Sequence, residues 1–136
     1  MENKNNYSFV EMGTLCNVKE KESFGIPGKY FLKDELGLTS CEISFGAIPA
    51  GQAVPFLHAH KENEEIYIFL QGSGIFYVDG QNLSVKEGSM IKVSPEGKRG
   101  LKAEEDLLYI CVQAKENSLK QAVPGDGLIL EEKLPW

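Results

Sequence analysis

Short runs of residues rich in Ile, Val, Phe and Tyr alternate along the chain with closely spaced turn residues, among them Gly51, Pro55, Gly72, Gly74, Gly80, Gly88, Pro95, Gly97 and Gly100. Apolar runs cut by glycine and proline in this way are the signature of an antiparallel barrel or sandwich. The pattern predicts strands near Lys29–Lys33, Thr39–Ile48, Leu57–His60, Glu65–Gln71, Ile75–Val78, Leu83–Val85, Met90–Val93 and Leu107–Gln113. Asp79-Gly80 falls between two of these runs and predicts a tight type I′ hairpin, because glycine takes positive φ without steric cost. One short helix is expected over Glu116–Val123, ended by Pro124-Gly125. The chain thus divides into an extension with an entry strand (1–28), an all-β barrel (29–113), and a short C-terminal helix with its tail (114–136).

Two stretches break the pattern of a one-sided sheet. Ile66-Tyr67-Ile68-Phe69-Leu70 is apolar on both faces, where a half-solvated strand would alternate. Its outer face needs a cover, which predicts a homodimer. The tail Gly127–Trp136 carries Leu128, Ile129, Leu130, Leu134 and Trp136. It is expected to pack on the barrel or on the partner subunit.

Composition narrows the function classes. The chain has 136 residues, the size of one domain, and a net charge of −6. Of its 14 basic residues only Arg99 is an arginine. An acidic chain of this kind lacks the basic stripe that phosphate-backbone binding wants, so no nucleic acid is expected. No apolar run approaches the roughly 20 residues of a membrane span, and the N-terminus Met-Glu-Asn-Lys-Asn-Asn is polar, so a cytoplasmic protein without membrane contact is expected. Cys16, Cys41 and Cys111 are widely spaced and form no C-x-x-C pair; they read as reduced, mostly buried thiols, with a thiol facing a pocket as the alternative.

The two histidines of the chain stand at positions 58 and 60. In a strand, residues i and i+2 point to one face, about 6.6 Å apart, so two such imidazoles can converge on one ion. Glu64 and Glu65 open the next strand and bring a carboxylate alongside. Two histidines and one carboxylate make either a Zn²⁺ site with open positions or a facial triad for Fe²⁺. The same spacing also fits two solvated loop histidines. Should Glu65 point inward, the period of two turns Tyr67 and Phe69 inward as well. Tyr67 then either orients a substrate or acts as an acid, or it is barrel core with a hydrogen-bonded hydroxyl.

The stretch from Gly51 through His58, His60 and Glu65 to Gly72 resembles the first motif of the cupin family, and Gly88 through Pro95, Gly97 and Gly100 is similar to the second. Together they run from about Thr39 to Gln113. The resemblance implies a double-stranded β-helix (jelly-roll) barrel, commonly dimeric. It also implies a divalent transition metal (Fe, Mn, Ni or Zn) held by His58, His60, Glu65 and a fourth histidine. Two departures stand out. The spacer from Gly51 to His58 is one residue longer than usual, and Gly100 occupies the position of the fourth ligand.

Arg99, one residue before that gap, is either an anchor for an anionic substrate or a turn residue with its head in solvent. Strand alternation from position 100 favours solvent. Three functions are consistent with these residues: a metal-dependent enzyme of dioxygenase, decarboxylase or isomerase type acting on a small anionic metabolite; a non-catalytic binding or sensor module for a small-molecule ligand; and a metal-free sugar isomerase or epimerase with His58 as base.

Overall fold

The computed structural model describes residues 5–120 and 124–136. A 3-10 helix, Leu15–Glu20, and a minimal hairpin of β1 (Glu22–Ser23) and β2 (Ile26–Pro27) precede the barrel. The barrel follows with β3 (Lys29–Phe31), the one-turn helix α1 (Lys33–Leu36), β4 (Glu42–Ile48), β5 (Asn63–Gln71) and β6 (Ser73–Val78). It continues with β7 (Gln81–Lys86), β8 (Met90–Val93), β9 (Arg99–Ala103) and β10 (Leu107–Lys115). A five-stranded sheet ordered β3-β4-β10-β5-β8 faces a three-stranded sheet ordered β7-β6-β9. Every pairing in both is antiparallel, giving the double-stranded β-helix that the cupin resemblance implies.

Alternation along each strand decides what the barrel holds. On β5, Glu65, Tyr67 and Phe69 are buried while Ile66, Ile68 and Leu70 face out. On β6 the inward residue is Phe76, which meets Tyr67 edge-on with ring centroids 4.8 Å apart. Phe69 and Phe76 are both fully buried, each contributing on the order of 2 kcal/mol through burial. At the β6–β7 turn, Asp79 and Gly80 both take positive φ (46° and 88°), as a type I′ hairpin requires.

Several elements differ from expectation. The first strand stops at Phe31, because the amides of Leu32 and Lys33 donate to the Glu42 carboxylate (3.2 and 2.8 Å) and the chain turns into α1. Leu57–His60 forms no strand; its one pairing is the bridge between His58 and Arg99. Arg99–Ala103, read as punctuation, is instead β9. Beyond β10, Glu116 and Asn117 form a turn, with Asn117 at φ 64°, and Ser118–Lys120 is irregular. The expected helix is therefore absent over 116–120, its remainder lies outside the described residues, and a short 3-10 turn occurs at Pro124–Asp126. The tail does not pack on the barrel: Ile129 and Trp136 are wholly exposed. Among the described residues no helix is long and apolar enough to cross a membrane.

Candidate metal centre

The two histidines enter from the segment between β4 and β5, which runs beside β9. Ala53 bridges Lys102 and His58 bridges Arg99, so five residue steps on one strand oppose three on the other. The surplus bulges outward at Pro55-Phe56-Leu57, absorbing the long spacer and leaving Phe56 and Leu57 exposed. His58 then locks onto Arg99 through two backbone hydrogen bonds (3.1 and 3.0 Å), and the His60 amide donates to the Pro95 carbonyl (2.8 Å). Both imidazoles face the interior with ring centroids 5.3 Å apart.

They converge on Glu65, whose carboxylate is 4% exposed. The Tyr67 hydroxyl donates to Oε1 (2.8 Å), with Arg99 Nε 3.4 Å and His58 Nε2 3.6 Å from the same oxygen. Cys111 on β10 donates its thiol to Oε2 (3.2 Å), and His60 Nε2 lies 3.3 Å from that oxygen. Burial alone would raise the Glu65 pKa. Hydrogen bonds to its charged form from His58, Tyr67 and Cys111, with the nearby His60, outweigh burial and hold it down at about 2. Burial and the neighbouring carboxylate push the Tyr67 hydroxyl and the Cys111 thiol upward, so both remain protonated donors.

Arg99 corrects the expectation of a solvated head: it is 1% exposed and points inward. Its guanidinium donates to the carbonyls of Gly97 (2.8 Å), Pro95 (3.4 Å) and Ser94 (3.4 Å), drawing the turn after β8 around itself. Gly100 lies on the opposite face, where a Cβ would sit 3.1 Å from Leu57 Cδ2. The inward place beside His58 thus belongs to an arginine.

Residues His58, His60 and Glu65 each offer a ligand atom, and these atoms all lie within 4.8 Å of one another. His58 Nδ1 and His60 Nε2 are buried without hydrogen-bond partners, as is Arg99 Nε. Buried ring nitrogens without partners are costly. An ion shared by His60 and Glu65 would supply the missing partner, so the donor set fits a divalent metal. The centre lies in the wall of a cavity of about 630 Å³. Lys29, Ser44 and Tyr109 also line it, and none of the three stood out in the sequence. Of the cysteines, Cys111 faces this cavity from the buried core, Cys41 is half-buried and Cys16 is exposed, against the expectation for Cys16; no disulfide joins them.

No family model matches the chain. Over 49 residues, 36% of its length, it is 37% identical to an uncharacterized protein of Methanocaldococcus jannaschii, of which it covers 38%. It therefore spans well under half of that curated relative. Among solved structures it is similar to a cupin protein from Bacteroides fragilis, with 32% identity over 93% of this chain and 98% of that one and a TM-score of 0.79. It also resembles a predicted oxalate decarboxylase from Thermotoga maritima (25% identity, 54% of this chain and 64% of that one, TM-score 0.51). An RmlC-like cupin from Desulfovibrio desulfuricans is similar to the same degree (26% identity, 55% and 72%, TM-score 0.52).

The Glu65 pKa sets a pH test. A carboxyl held near 2 in the folded chain and near an ordinary value of about 4.3 unfolded stabilises above that value, and the benefit disappears as pH falls toward 2. Glu65→Gln leaves buried Arg99 without its counter-charge and should cost about 3 kcal/mol at neutral pH. In urea unfolding, the gap between the two proteins should narrow from about pH 5 down to pH 2. A gap independent of pH would contradict the ionised, compensated carboxylate.

Proposed function

Because this chain belongs to the cupin superfamily, we propose that His58, His60 and Glu65 hold one divalent transition metal ion, Fe, Mn, Ni or Zn, and that the protein acts on a small anionic metabolite in the cavity. The observation that carries this reading is the convergence of three ligand atoms within 4.8 Å around a buried, unpartnered His60 nitrogen. A bound ion would supply Lewis acidity toward a carbonyl or carboxylate, or a site for O₂, at its open positions. The chain's own residues prepare that site. Tyr67 and Arg99 hold Oε1, which orients Oε2 toward His60; both act on Glu65 as positioning residues. Dioxygenase, decarboxylase and isomerase chemistry are all compatible with this arrangement. The resemblance to a predicted oxalate decarboxylase supports a carboxylate-bearing substrate.

A specific observation favours a second reading, a metal-free binding or sensor pocket. Arg99, Tyr67 and Cys111 already compensate the Glu65 charge. The third reading, a metal-free isomerase with His58 as base, has less support, since the Tyr67 hydroxyl that would serve as acid is engaged by Glu65.

Two features support a homodimer. Ile43, Phe45, Ile66, Ile68, Ile110 and Val112 form an outward apolar stripe across β4, β10 and β5, in register. The exposed apolar tail offers a second patch for a partner copy. Sedimentation at micromolar concentration should give about 30 kDa, twice the 15.1 kDa chain, and Ile68→Lys should give the monomer. A monomeric wild type would contradict the dimer.

Elemental analysis of protein purified without chelator should find about one equivalent of a transition metal, lost in His58→Ala/His60→Ala. Background metal in both would overturn the metal reading and leave the binding pocket.

A further inference from the structure

Lys29 lines the same cavity from the inner wall of the barrel and is not one of the three candidate ligands. On β3 it pairs with Gly46 of β4, which pairs with Tyr109 of β10, so the three side-chain positions share one inward row. Gly46 makes the row passable: a Cβ there would lie 2.3 Å from the Tyr109 ring, so only glycine lets the ring lean toward Lys29. The Lys29 ammonium lies 5.0 Å from the centroid of Tyr109 and 5.3 Å from that of Phe31. It donates one hydrogen bond, to Ser44 Oγ (3.1 Å). No carboxylate forms an ion pair with it among the described residues.

Of the carboxylates whose charge acts on Lys29, Glu65 is balanced by Arg99 and Glu42 is engaged by the amides of Leu32 and Lys33, while Asp106 on the cavity wall accepts from the Ala50 amide. Lys29 is left as one positive charge, half-buried and facing a largely apolar cavity. A desolvated ammonium without an ion-pair partner is unfavourable, and two aromatic faces and the charges of Glu65 and Glu42 compensate it only in part. Ser44, 3% exposed, has no acceptor for its own proton among the described residues. One ammonium and one hydroxyl thus present two donors side by side.

We propose that Lys29 and Ser44 form a carboxylate-binding subsite, taking a monocarboxylate whose apolar body fills the cavity and whose other end reaches the His58–His60–Glu65 centre. The last clause rests on the metal reading; the subsite itself does not. A single carboxylate matches the single unbalanced charge and the two donors. A phosphate dianion would bring more charge than one ammonium neutralises, and the other lysine of the cavity wall, Lys19, is exposed. The residue lies on β3, outside both sequence motifs, and its inward direction follows only from the register with β4.

Calorimetric titration of the full chain in chelator, with hexanoate and its uncharged counterpart hexanamide, tests the subsite. Wild type should bind hexanoate about tenfold tighter than hexanamide. Lys29→Met should remove that preference, whereas Lys29→Arg, which keeps the charge, should retain it. The His58→Ala/His60→Ala protein should keep it too, so failure of the metal reading leaves this result intact. Equal binding of the two compounds by wild type, no binding of hexanoate, or an unchanged preference in Lys29→Met would overturn the proposal.

Discussion

A carboxylate sealed inside a β-barrel costs several kcal/mol unless other groups take up its charge, and the parts of this molecule that surround Glu65 are arranged to do so. Tyr67 arrives two residues along the same strand, Cys111 from the neighbouring strand, Arg99 from the facing sheet, and the histidines from the loop that bulges past β9. One buried anion therefore ties both sheets and the longest connection of the barrel to a common point. The resulting cluster fixes the rotamers that an ion or a ligand would meet.

Arginine beside His58 changes what such a centre can be. A neutral imidazole in that place would add a fourth donor; a guanidinium adds a permanent positive charge and no donor for a metal. Its three carbonyl partners also set the shape of the turn after β8. The outcome is a cluster of three groups that could hold a metal ion in the cavity wall, in which Oε1 of Glu65 accepts from Tyr67 while Oε2 accepts from Cys111 and faces His60. In the same cavity wall, Lys29 contributes the opposite feature, a cation with no ion pair among the described residues. The interior thus combines a balanced pair with an unbalanced charge, a polarity suited to an elongated ligand carrying one negative end.

Legibility in the sequence followed the physics of each signal. Period-two alternation correctly turned Glu65, Tyr67 and Phe69 inward, and Asp79-Gly80 marked its hairpin, because both are local. Spacing brought out His58 and His60 with a carboxylate from Glu64 or Glu65, and the resemblance to the cupin motif chose Glu65. Arg99 was misjudged because its facing was counted from Gly100, and the turn through Ser94–Lys98 brings the chain back with position 99 inside. That phase is set by pairing with His58, a contact 41 positions away in the chain. Lys29 was invisible for a related reason: its direction depends on register with Gly46 and on the room that glycine leaves for Tyr109. The C-terminal segment read as a helix because its composition allows one. Yet β10 continues to Lys115 by pairing with β5, and the turn at Asn117 uses the residues that would have started the helix.

Anomalous diffraction from crystals of the chain soaked in Mn²⁺ tests the central claim most directly. The account predicts one strong peak at bonding distance from His58, His60 and Glu65, with Arg99 and Tyr67 still on the other carboxylate oxygen and open positions toward the cavity. No peak at the triad, or one at the surface alone, would contradict it.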